Sequence, residues 1–141
     1  MLKSKKGFTL IELMVVVAII GVLALLGLRL YTGQQQKAKN AIVKANAGTI
    51  QTLIQAELAD TTSADVYTMV DDDTEDGLFT KSGIHIPDGE AQTENGVAQV
   101  GYVVVTYVDS DASFVGDEYF TINGKAFNTG DVYVTPLTAR K

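Results

Sequence analysis

Lys5-Lys6-Gly7-Phe8-Thr9-Leu10-Ile11-Glu12-Leu13-Met14 opens an apolar run that continues through valine, isoleucine and leucine to Leu28. Residues 8–28 are 21 residues with one charge, Glu12. That length matches the roughly 20 apolar residues an α-helix needs to cross a bilayer core at about 1.5 Å per residue. A secretory signal would place its basic residues first, then a shorter apolar run, then a small residue at the cut site. Here the small residue, Gly7, lies between the lysines and the run, so a cut there removes the charges and keeps the apolar segment. Glu12 is the second oddity, because an ionised carboxylate in hydrocarbon costs on the order of 3 kcal/mol unless it finds a partner. The chain offers one: the amine freed at Phe8 if the Gly7–Phe8 bond is cut.

Lys6-Gly7-Phe8-Thr9-Leu10-Ile11-Glu12 and the apolar segment after it resemble the start of a type IV prepilin or a type II secretion pseudopilin. The resemblance implies a leader, residues 1–7, removed by a prepilin peptidase that also methylates Phe8. Residues 8–33 would be the transmembrane and filament-core half of a helix. Residues 34–141 would be a globular pilin head that includes the amphipathic half of that helix. Gly7 and Phe8 are then the processing site, and Thr9 and Glu12 serve assembly. The implied partners are copies of the same chain in a helical filament, the peptidase, the inner-membrane assembly machinery, and membrane lipid before assembly. The subunit would start in the cytoplasmic membrane with its head outside the cytoplasm and end in an extracellular pilus serving adhesion or motility. Two alternatives stand beside this: a minor pilin or a secretion or competence pseudopilin, and an uncleaved single-span protein whose head binds a ligand.

The net charge of −6 is unevenly spread. Lys3, Lys5 and Lys6 lie in the leader; Arg29, Lys37, Lys39 and Lys44 follow with no acid among them. Beyond residue 44 sixteen acids face Lys81, Lys125, Arg140 and Lys141. A basic neck and an acidic head are expected, with the neck able to meet acidic heads of neighbouring subunits. Nucleic acid is disfavoured as a partner, since phosphate contacts need clustered cations. With no cysteine, the C-terminal region must be held by hydrogen bonds, packing or an ion, whereas many pilins close it with a disulfide. His85 is the sole histidine and is read as a structural or surface residue. A nucleophile triad or a histidine-rich metal site therefore cannot be assembled, and neither enzymatic activity nor a cofactor is expected.

The helix is expected to run from Phe8 to Asp60 without a strong stop. After Gly33 it turns amphipathic, with Ala38, Ile42, Ala45, Thr49 and Leu53 in one row and Val43, Ala47, Ile50, Ile54 and Leu58 in the next. Many relatives carry a proline near the end of the apolar segment; here Gly21, Gly27 and Gly33 recur at six-residue intervals instead. Each weakens a helix interior by about 1 kcal/mol relative to alanine, or lets neighbouring helices pack closely.

Ser63 is a candidate cap for a short helix through Val66 and Met69. Residues 71–77 hold five acids, and Asp71, Asp73 and Glu75 alternate as in a calcium loop but without its glycine in register; Asp109, Asp111 and Ser113 alternate more weakly. The last third reads as β: residues 97–108 with Ala98, Val100, Tyr102, Val104, Thr106 and Val108 on one face, then residues 118–122. Asn123-Gly124 is a hairpin signal into residues 125–128, Thr129-Gly130-Asp131 turns again, and residues 132–135 end or edge at Pro136. The fold class is α+β and, with the resemblance, pilin-like: a long N-terminal helix whose C-terminal half packs on an antiparallel sheet of about 3–4 strands.

Overall fold

The computed structural model describes residues 7–95, 99–108, 118–127 and 130–138. Its first element is helix α1, Leu10–Asp60, and the chain divides into two compact units, Met1–Gln35 and Gln36–Lys141.

In the first unit every described residue is exposed. Leucine, isoleucine and valine crowd all sides of this stretch, so no arrangement of one face could hide them. Gly21, Gly27 and Gly33 all lie within α1, with open space where a Cβ would stand.

In the second unit α1 buries Val43, Ala47, Ile50 and Ile54 completely, the second of the two rows read from the sequence. Of the first row only Leu53 packs against the core; Ile42 is 43% exposed, and Ala38, Ala45 and Thr49 are exposed as well. Adjacent rows lie about 100° apart around the helix, and a single flat sheet covers one of them. Two short helices follow before the sheet, in the order expected of an α+β chain. Helix α2 is Ser63–Asp71, and its cap is Thr62 rather than Ser63. Thr62 has extended dihedrals and accepts from the Asp65 amide, while its hydroxyl donates to the Asp65 carboxylate at 2.7 Å. Ser63 falls inside the first turn and donates to Glu118. Helix α3, Leu78–Ser82, stops at Gly83 in the left-handed region at φ 62°.

Strands β1 (Val103–Val108), β2 (Tyr119–Lys125) and β3 (Asp131–Thr138) form an antiparallel sheet in the order β1-β2-β3, with Val105 opposite Ile122 and Ile122 opposite Thr135. The long strand expected from residue 97 begins at Val103, and the buried face is Val103 and Val105, not the row of Val104 and Thr106. Gly101, at φ 94°, breaks the extended run just upstream. Both faces of this stretch are rich in valine and tyrosine, so alternation alone could not orient it.

Asn123-Gly124 is not a hairpin. Strand β2 runs straight through it, pairing Asn123 with Val104 and Val134, and Gly124 with Val103 and Tyr133. A Cβ on Gly124 would stand 2.9 Å from Val43 Cγ1, so the glycine lets the sheet lie close against α1. The turn comes later, closed by the Ala126 amide donating to the Gly130 carbonyl at 3.2 Å. Strand β3 continues through Pro136 to Thr138; as an edge strand it tolerates a residue without an N–H.

The core joins Ala47, Ile50 and Ile54 of α1 to Val66, Val70 and Phe79 and to Val103, Phe120, Ile122 and Leu137 of the sheet. Burying each large apolar side chain contributes about 2–3 kcal/mol, and Phe79 and Phe120 are the largest of them. Several expectations fall on residues outside those described: the leader lysines, the strand start at Val97 and Ala98, the alternation of Asp109, Asp111 and Ser113, Thr129 in the turn, and Arg140 and Lys141.

Candidate functional site at the start of the long helix

Gly7, Phe8 and Thr9 precede α1, and all three are exposed, Phe8 to 85%. Among the described residues, and its chain neighbours aside, no atom lies within 4 Å of the position a Cβ on Gly7 would take. Thr9 is the residue before the first helical turn, and Glu12 is the third residue inside it. The Thr9 backbone amide donates to Glu12 Oε2 at 2.8 Å, and the Thr9 hydroxyl donates to the same oxygen at 2.7 Å. The Glu12 amide in turn reaches the Thr9 hydroxyl oxygen at 3.4 Å.

This is a reciprocal capping box. The first turn of a helix leaves amide donors without partners, and its end carries partial positive charge, so a carboxylate held there is favoured on both counts. The Thr-x-x-Glu signal stands in the sequence, but the sequence reading explained Glu12 only as a charge awaiting a partner. Within the subunit Glu12 has one already. Its Oε2 is occupied by Thr9, while Oε1 takes no donor among the described residues. The structure therefore brings Thr9 and Glu12 together, leaves Gly7 and Phe8 open beside them, and places Gly21, Gly27 and Gly33 further along the same exposed helix. The apolar part of α1 is long enough to cross a membrane, and its most apolar window is 0% buried.

The head carries little that resembles a reaction centre. A small cleft of about 70 Å³ is lined by Leu53, Glu57, Met69, Asp76, Leu78 and Lys81. His85 is exposed, its Nδ1 2.9 Å from the Gly83 carbonyl. Among the described residues no group of three His, Cys, Asp or Glu side chains is placed to hold a metal ion, so Asp71, Asp73 and Glu75 are not gathered into a ligand set. Asp72, beside them, instead accepts from the Thr74 amide at 2.8 Å. That bond, with a weaker contribution from the Thr74 hydroxyl, holds the Asp72 carboxyl below its ordinary value.

The basic neck is not uniformly free. Lys39 pairs with Asp88 at 2.7 Å and lies 4.7 Å from the centre of the Phe127 ring. Arg29, Lys37 and Lys44 make no ion pair among the described residues.

Comparison with known proteins agrees with this site. The prokaryotic N-terminal methylation motif matches residues 2–28. The chain is 46% identical over 56 residues to Fimbrial protein EcpB of Eikenella corrodens, covering 40% of this chain and 35% of that protein. It is 36% identical over 83 residues to Fimbrial protein Q of Moraxella bovis, covering 58% and 53%, respectively. It is 43% identical over 61 residues to Type IV major fimbrial protein FimA of Dichelobacter nodosus, covering 43% and 38%. The aligned stretches thus span about a third to a half of the relatives' own length. No solved structure matches the chain.

An exposed apolar helix with a match to the methylation motif at its start, followed by an α+β head, is a pilin-like architecture. Within that class, the motif and the fimbrial relatives support a type IV pilin.

Proposed function

We propose that the chain is a structural subunit of a type IV pilus. It is inserted in the membrane as a prepilin, cleaved after Gly7, methylated at Phe8 and polymerised through its N-terminal helix into a homo-oligomeric filament. The observation that carries this reading is the apolar half of α1, exposed on every side and headed by the Thr9–Glu12 cap. Such a surface is stable only in lipid or against other helices. The relatives that include type IV major fimbrial proteins favour a filament subunit over an uncleaved receptor.

In this reading the prepilin peptidase and methyltransferase act on the open Gly7–Phe8 bond, hydrolysing it to leave a carboxylate on Gly7 and an amine on Phe8. The inner-membrane assembly machinery then moves the subunit from lipid into the filament. A buried carboxylate without a counter-charge is costly, so a subunit settles where the Phe8 amine, its own or a neighbour's, reaches Glu12 Oε1. The charge selects axial register more than it adds stability. Before assembly the subunit is anchored in the cytoplasmic membrane with its head outside the cytoplasm; after assembly it lies in the extracellular pilus.

The test is Glu12→Gln in cells that assemble the filament. Membrane insertion and cleavage should be retained while incorporation into sheared filaments falls; normal filament yield would overturn the role of Glu12. Gly7→Ala tests processing separately, through the mass of the N-terminal peptide. An intact Met1 on the wild-type chain, in cells with active peptidase, would overturn the pilin reading itself.

A further inference from the structure

Strand β1 is an edge of the sheet, and alternate residues of an edge strand point their backbone N–H and C=O groups away from it. On β1 these outward residues are Val103, Val105 and Tyr107, and the first two are each met by a side-chain amide. The Val103 N–H donates to Gln92 Oε1 at 2.9 Å, and Gln92 Nε2 donates to the Val103 carbonyl at 2.6 Å. The Val105 N–H donates to Asn95 Oδ1 at 2.8 Å, and Asn95 Nδ2 donates to the Val105 carbonyl at 2.9 Å. A primary amide carries the same donor and acceptor as a peptide group. Two of them in succession therefore reproduce what a neighbouring strand would supply. Gln92 is 1% exposed, and its backbone amide is tied to the Ile84 carbonyl at 3.0 Å, so the pair is anchored and not a surface coincidence.

The two edges of the sheet differ in how else they are guarded. Strand β3 carries Asp131 and Pro136, both common defences of an open edge. Strand β1 reads Val-Val-Val-Thr-Tyr-Val, with no charge, proline or glycine, the composition that pairs most readily with another chain.

We propose that Gln92 and Asn95 form a strand surrogate that keeps the outer edge of β1 from pairing with β1 of a second copy of this chain. Two identical antiparallel edges are self-complementary, so a second copy supplies a matching partner, and with no charge on β1 nothing repels it. The proposal does not depend on the filament reading, because it concerns heads meeting through their sheets.

The experiment uses the full chain in detergent micelles, comparing wild type with Gln92→Ala/Asn95→Ala by amide exchange and sedimentation. In the dilute variant, Val103 and Val105 should exchange about tenfold faster than in wild type, while Val104 and Thr106, bonded to β2, keep their protection. On concentration the variant should dimerise and Val103 and Val105 should become protected again. Adding Thr106→Lys, an exposed position on β1, should abolish that association. Should the double variant lose protection throughout the sheet, Asn95→Ala alone decides by the same readout at Val105. The proposal is overturned by a variant that stays monomeric at all concentrations with Val103 and Val105 open, by unchanged protection when dilute, or by association that persists with Thr106→Lys.

Discussion

Thr9 donates twice to one oxygen of Glu12, from its backbone amide at 2.8 Å and from its hydroxyl at 2.7 Å, and the other carboxylate oxygen takes no donor among the described residues. The residue proposed to set filament register is thus held by the neighbour that starts its helix. Thr9→Ala should cost about 1 kcal/mol of local helix stability, seen as roughly fivefold faster amide exchange at residues 10–13 in micelles. Thr9→Ser, which keeps the hydroxyl, should restore the wild-type rate. Glu12→Gln keeps an acceptor for Thr9 and should change this exchange little, so a loss of filament incorporation in that variant reports the charge and not the cap.

Gly124 lies directly against Val43 of α1. A methyl group on Gly124 meets Val43 Cγ1 at 2.9 Å and Tyr133 Cβ at 3.3 Å, and a β-branched valine has little rotamer freedom with which to withdraw. Gly124→Ala should destabilise the head by about 1–3 kcal/mol in thermal or denaturant unfolding. Adding Val43→Ala should recover part of that loss, so the double variant is more stable than the sum of the two single changes predicts.

Lys39 and Lys37 separate contacts within a subunit from contacts between subunits. The pair of Lys39 with Asp88 is partly exposed on both sides, so Lys39→Ala should lower head stability by about 0.5–1 kcal/mol, and added salt should narrow the difference. Lys37 has no ion-pair partner among the described residues, and Lys37→Glu should leave the melting of the isolated subunit unchanged. If basic necks meet acidic heads in the filament, the same change weakens filaments, most at low salt.

Asp72 gives the head an acid-sensitive element. Its folded pKa is lowered by the Thr74 amide, so the carboxylate contributes stability above its ordinary value of 3.8 and loses it as pH falls through the lower folded value. Asp72→Asn should therefore flatten the fall in melting temperature below about pH 4 relative to wild type, with the two curves parallel above it. Identical acid limbs would remove the role assigned to this bond.

The sequence was most legible where one kind of information sufficed. The length and uniform apolarity of residues 8–28 define an element that needs no knowledge of its neighbours, and α1 ends at Asp60 as the Asp-Thr-Thr-Ser cluster predicts. It was less legible where two neighbours had to choose. Both rows of the amphipathic half carry apolar or small residues, and only the position of the sheet selects Val43, Ala47, Ile50 and Ile54. Both faces of residues 97–108 could be inner faces, and only the packed sheet selects Val103 and Val105. Asn123-Gly124 has the composition of a tight turn, yet a long-range contact with α1 explains the glycine better than a local turn does. Ser63 and Thr62 are equally good caps by residue type, and backbone geometry decides between them.

The functional site divides the same way. The roles proposed for Gly7, Phe8 and Glu12 rest on local sequence alone: a proposed cut site, the amine it would free and a carboxylate about one turn on. By itself the sequence determined the apolar helix, the placement of its single charge, the absence of a disulfide and the α+β class, since each follows from composition or short-range periodicity. Only the tertiary structure decided that Lys39 is engaged by Asp88 and that Gln92 and Asn95 bond the outer side of β1. The reason is physical. Side-chain hydrogen bonds require positions within about 3 Å, and residues 11 apart, as Gln92 and Val103 are, come that close only after the fold has closed the loop between them.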